Sequence, residues 1–216
     1  MAEGLLPRRE ARRRLLRLYA GWGWTSVFCR LRYWHSNVAG IEAHIPIEGT
    51  IVDLGCGHGV LANYLALRST RRRVVGFDLS EHRIAVARSI GLPNAEFHCQ
   101  NLLDAGRIPC RAIIVADVLH HLRSYEEGDE LLARCCERLP ADGLLVVKEI
   151  AQKPCWKYLF TRPLDFLFYR GKVHFRAPEQ FAALFGRLGV EAQLVPLHAW
   201  RPLSHVMYLC RKKGGA

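Results

Sequence analysis

The chain has 216 residues, which suits one domain, or one domain with additions, and allows a substantial core to form. Hydrophobic residues make up 50% of it and charged residues 24%, a balance that excludes a disordered or fibrous protein. The 31 Lys and Arg residues against 20 Asp and Glu residues give a net charge of +11, which favours an anionic partner.

The chain begins with a basic N-terminal extension over residues 1–45. Leucines alternate with arginines over residues 8–20 and predict an amphipathic helix, which an aromatic-rich segment follows at residues 21–34. Such a helix is typical of a membrane surface, and equally of a helix that covers a cofactor cleft. Arg17 and Gly21 interrupt the apolar residues, so no stretch of signal-peptide length is present there. Because no apolar run approaches the roughly 20 residues that cross a bilayer, we expect a cytoplasmic protein, in solution or held peripherally at a membrane.

From residue 50 onward, short β-branched runs alternate with helical patterns, as in β-α units around a parallel sheet. Strands are predicted at residues 50–54, 73–77, 95–99, 112–116, 143–150, 190–195 and 205–211, and helices at residues 60–67, 81–90, 126–139 and 178–188. Residues 144–147 are all apolar, as expected where helices cover both faces of a sheet. The sequence therefore predicts a doubly wound, mostly parallel α/β domain of seven strands over residues 46–216.

One segment is too long for an ordinary connection. Residues 151–176 separate the fifth strand from the next helix, and a connection of this length is more often functional. It contains seven aromatic residues between its cations: Trp156, Tyr158, Phe160, Phe166, Phe168, Tyr169 and Phe175. Aromatic rings between cations suit an apolar acceptor that bears an acid, or a lipid surface. We therefore predict a cap over an acceptor pocket.

The sharpest signal is the glycine-rich run D-L-G-C-G-H-G at residues 53–59, between the first strand and its helix. Glycines let a ligand approach the main chain where the N-terminus of a helix begins. The third glycine comes one residue earlier than in the dinucleotide fingerprint, and the carboxylate of Asp53 repels a pyrophosphate but suits a cation. Asp78 follows the second strand at the spacing at which an acid takes ribose hydroxyls. These residues predict a nucleoside ligand that carries positive charge.

This run and the acid after strand two resemble the class I S-adenosylmethionine-dependent methyltransferases, and D-V-L-H-H-L at residues 117–122 is similar to their small-molecule and quinone-biosynthesis branch. The resemblance covers residues 48–150 and implies a Rossmann-like methyltransferase fold with S-adenosyl-L-methionine as cofactor. It implies that the glycines wrap the methionine end, that Asp53 holds its amino group and that Asp78 binds both ribose hydroxyls. Asn101 stands where the family often has an acid for the adenine amino group. The cofactor residues implied in this way are Asp53, Gly55, Cys56, Gly57, Gly59, Asp78, Leu79, Asn101, Leu102 and Asp117.

Two adjacent histidines follow the fourth strand, where ligands of open α/β sheets gather. Methyl transfer requires in-line placement of the acceptor and, for a hydroxyl or amine, removal of a proton. Either imidazole suits a base near neutral pH, and both suit a structural role instead. We favour His121 as the catalytic base over His120, with His174 in the predicted cap as a third candidate.

The predicted acceptor is a hydrophobic small molecule, acidic or lipid-like. No Asn-Pro-Pro-Tyr or Asp-Pro-Pro-Tyr follows strand four, and the family uses that motif to methylate nucleobase amines. The basic residues cluster at Arg8, Arg9, Arg12, Arg13, Arg14 and Arg17, at Arg68, Arg71, Arg72 and Arg73, and at Arg211, Lys212 and Lys213. These clusters suit solvated faces, a peripheral contact with an anionic membrane, or nucleic acid. Two alternatives therefore stay open, an RNA methyltransferase and a non-catalytic S-adenosylmethionine-binding subunit.

The eight cysteines are not spaced as metal ligands, because no C-x-x-C pair is present. A chain with a sizeable core needs no disulfide framework. We therefore expect most of the cysteines to be small buried hydrophobes and expect no structural metal.

Overall fold

The computed structural model of the chain describes residues 4–101, 103, 108–150, 175–197 and 205–214. Its elements are α1 (Arg8–Leu18), α2 (Trp24–His35), α3 (Val38–Glu42), β1 (Gly49–Leu54), α4 (Val60–Arg68), β2 (Arg72–Asp78), α5 (Glu81–Ser89), β3 (Ala95–Cys99), β4 (Ala112–Ala116), α6 (Tyr125–Arg138), β5 (Leu144–Ile150), α7 (Pro178–Arg187), β6 (Val190–Pro196) and β7 (His205–Lys212). The predicted helices and strands agree with these bounds to within two residues. Among the described residues, no helix combines the length and apolar composition required to span a membrane.

The seven strands form one sheet in the order β3-β2-β1-β4-β5-β7-β6. β1 pairs with β2 in parallel, which places Asp53 opposite Gly76, and β2 pairs with β3 in parallel. β7 runs antiparallel to both of its neighbours, β5 and β6. The predicted seven-stranded α/β fold is therefore confirmed, with β7 making the sheet a mixed one.

The chain divides into two compact units, Met1–Ile113 and Ile114–Ala216. The division falls within β4, so residues 1–45 belong to the same unit as β1, β2 and β3. Every residue of β4 and of β5 is buried, which explains the apolar run of β4 and that of β5 over residues 144–147. Of the predicted cap at residues 151–176, only Phe175 and Arg176 lie within the described part of the chain.

The N-terminal helices pack against α4 in the first unit. Ala11, Leu15 and Tyr19 follow a helical spacing of four and are buried, so the apolar side of α1 faces the body of the unit. The aromatic-rich segment after α1, for which the sequence predicts no element, forms α2. Its inward side consists of Ser26, Cys29 and Tyr33, a pattern that the many aromatic residues elsewhere in the segment conceal.

Two of the arginines in the second basic cluster are buried in an ionic network on α3. The Glu42 carboxylate, 3% exposed, lies 3.1 Å from Arg68 Nε and 3.3 Å from Arg72 Nη1. Arg72 also donates to the main-chain carbonyls of Pro46 (2.7 Å) and Ile45 (2.9 Å). Burial lowers the pKa of Arg72, and the charge of Glu42 opposes this shift. The network therefore joins α3 and α4 to the start of β2.

Candidate active site

The turn between β1 and α4 is fixed to the end of β2 by main-chain hydrogen bonds. The N–H groups of Gly55 and Cys56 both donate to the carbonyl of Phe77, at 2.7 and 2.9 Å. The N–H of Gly59 donates to the carbonyl of Cys56 at 2.9 Å, and α4 begins at the next residue. The predicted strand, glycine turn and helix are therefore all present.

All three turn glycines hold left-handed backbone conformations, and the surroundings of Gly59 and Gly57 differ. At Gly59, where φ is +73°, a Cβ atom would lie 2.7 Å from Ala87 Cβ and 2.9 Å from Asn63 Nδ2, so no larger residue fits. At Gly57, where φ is +54°, a Cβ atom would meet nothing within 4 Å. The main chain at Gly57 therefore borders open space in which a ligand has room to approach it.

Asp78, at the end of β2, belongs to the same turn. Its Oδ2 accepts the N–H of Gly57 and its Oδ1 accepts the N–H of Ser80, both at 2.9 Å. A carboxylate oxygen has capacity for more than one donor, so both oxygens retain capacity for hydroxyl groups. The structure thus brings Asp78 directly to the glycine turn.

Asp53 lies at the end of β1 with a buried carboxyl group that is 2% exposed. Its Oδ2 has no hydrogen-bond partner among the described residues. Burial of such an oxygen costs free energy unless a ligand supplies a donor. Burial raises the pKa of Asp53 to about 7; the charge of Arg32 lowers this pKa and that of Asp78 raises it. A ligand with an ammonium group fits both the orphaned oxygen and the buried negative charge.

The N-terminal helices contribute side chains to this turn that the sequence interpretation missed. The Tyr19 hydroxyl donates to the carbonyl of His58 at 2.6 Å, and Asn63 Nδ2 donates to the Tyr19 hydroxyl at 3.1 Å. The ring of Phe28 lies 5.1 Å from that of His58. Burial lowers the pKa of His58 to about 4, with the charges of Arg83 and His82 adding to the effect, so this imidazole is neutral beside the turn. No local sequence pattern around Tyr19 or Phe28 predicts their contacts with His58.

The other predicted cofactor residues of the first unit lie around the same strand ends. Burial raises the pKa of the Cys56 thiol well above its usual value. Leu79, directly after β2, is 68% exposed. Asn101 is exposed, and its Oδ1 accepts the N–H of Leu103 at 3.0 Å. Leu102 lies outside the described residues.

In the second unit, His120 forms a buried pair with a carboxylate that the sequence interpretation did not consider. His120 Nδ1 lies 2.5 Å from Glu149 Oε2, and both side chains are almost completely buried. The other oxygen of Glu149 accepts the N–H groups of Val118 and Leu119, at 3.2 and 2.9 Å. With Glu149 ionised, the Nδ1–H of His120 donates to its Oε2, and Nε2 is then the basic nitrogen. A carboxylate that orients an imidazole in this way suits a general base, and equally a structural pair.

The remaining predicted residues of the second unit surround this pair. The ring of His121, which is partly exposed, lies 3.9 Å from that of His120, and Phe175 stacks on His120 at 5.5 Å. Asp117, which the resemblance assigns to the cofactor, forms a buried ion pair with Lys148 at 2.5 Å. It holds a φ of +57°, which aspartate tolerates better than most residues. Lys148 and Glu149 are consecutive on β5, so this strand supplies the charged partner of Asp117 and that of His120.

Arg176, a cation of the predicted cap, is engaged in contacts within the second unit. Its guanidinium forms an ion pair with Asp129, donates to the carbonyl of Tyr125 and lies over the rings of Tyr125 and Phe181. Within the described ranges, no group of three or more His, Cys, Asp or Glu side chains is arranged to hold a metal ion.

A family model described as a methyltransferase domain matches residues 9–195. A ubiquinone biosynthesis O-methyltransferase of Neisseria meningitidis is 23% identical over 181 residues, which cover 79% of this chain and 76% of that protein. An uncharacterized methyltransferase of Schizosaccharomyces pombe is 46% identical over 65 residues, which cover 30% of this chain and 24% of that protein. The chain therefore matches only about a quarter of the length of this second relative.

A solved structure with the same fold is the magnesium protoporphyrin IX methyltransferase of Synechocystis with bound SAH. It superposes with a TM-score of 0.63 at 20% sequence identity, covering 92% of this chain and 93% of that one. The pyocyanin biosynthetic protein PhzM superposes with a TM-score of 0.71 at 18% identity, covering 87% of this chain and 58% of that one. At these identities the likeness is one of fold.

Proposed function

Because the chain belongs to the methyltransferase-domain family and takes its methyl group from S-adenosylmethionine, we propose that it methylates a hydroxyl or amine of a hydrophobic small molecule. The observation that carries this proposal is the buried pair of His120 and Glu149, with Phe175 stacked on the imidazole. An oriented base implies an acceptor that loses a proton, and the aromatic neighbour suits an acceptor with an apolar body.

The glycine turn and the two acids hold the cofactor in this proposal. Asp53, with its orphaned oxygen, pairs with the amino group, and Asp78 accepts the ribose hydroxyls through the capacity that its two bonds to main-chain N–H groups leave. The open main chain at Gly57 lets the methionine end approach closely. The exposed side chain of Leu79, which is 68% exposed, packs on the adenine ring of the cofactor in this proposal. Gly55, Cys56 and Gly59 shape the turn, while Asn101, Leu102 and Asp117 stay predicted cofactor residues.

Cofactor affinity is expected to fall as the pH is lowered through about 7, because Asp53 pairs with an ammonium group only as a carboxylate and its pKa is raised to about 7. Lowering the pH from about 8 to about 6 protonates a carboxyl group with this pKa and weakens cofactor binding about tenfold. Titration calorimetry with S-adenosylmethionine measures this dependence. The variant Asp53→Asn serves as the control, because any pH step that it retains arises from the ligand or from other groups. If the variant and the native chain show equal steps, Asp53 does not hold the amino group.

His120 serves as the general base and Glu149 as the residue that positions it. When bound, S-adenosylmethionine supplies an electrophilic methyl carbon on a positively charged sulfur, so the protein needs only to place the acceptor and remove its proton. Glu149 holds the Nδ1–H of His120, so the basic Nε2 takes the acceptor proton, and the carboxylate stabilises the imidazolium that forms. His121, which the sequence interpretation favoured, packs against this ring as a neighbour.

The test is methyl transfer from radiolabelled S-adenosylmethionine into fractionated cell extract, scored separately for organic-soluble molecules, RNA and protein. We expect label in the organic-soluble fraction. Label in RNA, with binding that weakens steeply as salt rises, supports the RNA methyltransferase instead. Saturable cofactor binding with every fraction unlabelled supports the non-catalytic subunit.

The charge that motivated the RNA alternative is partly neutralised in the first unit. Arg68 and Arg72 pair with the buried Glu42, as described above. The exposed pairs are Arg71 with Glu48 at 3.1 Å and Arg73 with Glu96 at 2.9 Å. The second basic cluster is therefore balanced by carboxylates and gives little support to a nucleic-acid groove. The arginine cluster of α1 has fewer acids beside it. The proposed peripheral contact with an anionic membrane rests on this cluster.

A further inference from the structure

The helix α2 carries apolar side chains on the side that faces away from the rest of the first unit. Trp24, Val27, Leu31 and Trp34 recur at spacings of three and four, so they share one helix face, named here the outer face of α2. Trp24 is 88% exposed, Leu31 55% and Trp34 49%. A surface helix ordinarily places polar residues on this side, and an exposed apolar face of this kind marks a contact site.

The outer face lies opposite the side by which α2 is anchored. Ser26, Cys29 and Tyr33 form the inward side, with the Tyr33 ring 5.3 Å from that of Tyr64 on α4. Two further apolar side chains of the N-terminal segment are exposed, Leu18 at the end of α1 (40%) and Trp22 in the turn before α2 (38%). The apolar surface is therefore rigidly presented by a packed helix.

The segment that carries the outer face is strongly positive. Residues 4–35 contain eight arginines and one acid, Glu10, whose carboxylate pairs with Arg14 four residues later. The arginines that lie beyond this pair include Arg9, Arg13 and Arg17 on exposed positions of α1, and Arg30 on α2. An apolar face with tryptophans, in a segment rich in exposed arginines, is complementary to the headgroups and upper acyl chains of an anionic membrane.

We propose that the outer face of α2 inserts into the surface of an anionic lipid membrane, with the arginines of α1 and Arg30 contacting the headgroups. The proposal deepens the peripheral membrane contact proposed above and assigns it to α2. For the helix at residues 8–20 the sequence allowed a membrane contact or a cover over the cofactor cleft; in the structure Ala11 and Leu15 of α1 are buried, and α1 packs against α4. Val27 and Leu31 favour lipid over nucleic acid, because aliphatic side chains gain from burial in acyl chains and not from stacking on bases.

The experiment is co-sedimentation of the full chain with vesicles of phosphatidylcholine alone, or with about 30% phosphatidylglycerol, together with tryptophan fluorescence. We expect about tenfold or stronger partitioning onto the anionic vesicles, with a blue shift of the emission. The double variant Trp24→Ser/Trp34→Ser is expected to lower partitioning at least about tenfold. The matched control is Leu194→Ser, which removes an apolar side chain that is 44% exposed on β6, and it is expected to partition like the native chain.

Three results would overturn the proposal. Equal binding of the native chain and the double variant to anionic vesicles removes the role of the outer face. Binding to single-stranded RNA that the double variant loses, without vesicle binding, assigns the face to nucleic acid. A native dimer that the double variant converts to a monomer, with unchanged vesicle binding, assigns it to a second copy of the chain. Circular dichroism checks that each variant is folded, and since no readout involves methyl transfer, failure here leaves the proposed activity untouched.

Discussion

Replacing His120 with Gln is expected to lower kcat about 10²- to 10⁴-fold, the range that a positioned general base contributes, without changing cofactor affinity. In the proposed mechanism the buried Glu149 carboxylate accepts the Nδ1–H of His120, which leaves Nε2 as the basic nitrogen. Steady-state kinetics on the labelled acceptor fraction, with cofactor Kd measured by calorimetry, separates loss of the base from loss of binding. The effect is on the chemical step because Asp53 and Asp78, which are proposed to hold the amino group and the ribose hydroxyls, belong to the first unit.

The adjacent His121 provides a matched control for this prediction. His121→Gln makes the same chemical change one residue away, and because His121 is partly exposed we expect a loss of kcat below about tenfold. If instead His121→Gln abolishes turnover while His120→Gln is tolerated, the base is His121, as the sequence interpretation preferred. If neither substitution lowers kcat, placement of the acceptor alone accounts for catalysis.

The variant Glu149→Gln tests the positioning role without a large change of shape. Its amide oxygen still accepts the N–H groups of Val118 and Leu119, but its amide nitrogen donates to Nδ1 of His120. The imidazole then carries its proton on Nε2 and cannot accept one from the acceptor. We expect kcat to fall about as far as in His120→Gln with little change in Tm, whereas a merely structural Glu149 would lower Tm and leave the pH profile of kcat unchanged.

Replacing Glu42 with Ala is expected to lower the free energy of unfolding by about 3–5 kcal/mol, because the substitution leaves the buried guanidiniums of Arg68 and Arg72 without their counter-charge. For a chain of this length, each kcal/mol shifts Tm by about 2–4 °C, so a drop of about 6–20 °C is expected. Thermal unfolding followed by circular dichroism measures it.

Glu48→Ala is the control for this network. Glu48 also pairs with an arginine, Arg71, but its side chain is 58% exposed, and exposed ion pairs contribute about 0–1 kcal/mol. The contrast between the two variants isolates burial from pairing. If both variants unfold at the native temperature, the ionic network on α3 does not stabilise the first unit.

Much of the fold was predictable because the signals for it are local. Each strand and helix shows its own hydrophobic period, and the glycine turn combines a strand end, three glycines and a helix start within a few residues. The acid at Asp78 was predictable for the same reason, because the end of β2 fixes its place in the sheet. The helix α2 was missed, since its exposed aromatic residues hide the helical period of its inward side.

The sequence by itself determined that the chain forms a seven-stranded α/β sheet with a glycine turn for a cationic nucleoside ligand. Only the tertiary structure decided which groups meet: His120 with Glu149, Arg72 with Glu42 and Tyr19 with the main chain of His58. The partners in these pairs are 29, 30 and 39 residues apart, so no local pattern links them. The protonation state of Asp53 was likewise decided by the tertiary structure, because its pKa depends on how completely the folded chain removes water from the carboxyl group. Hydrophobic period reports which side of an element is buried, whereas the partner of a charged side chain depends on the three-dimensional neighbourhood that forms when the elements pack.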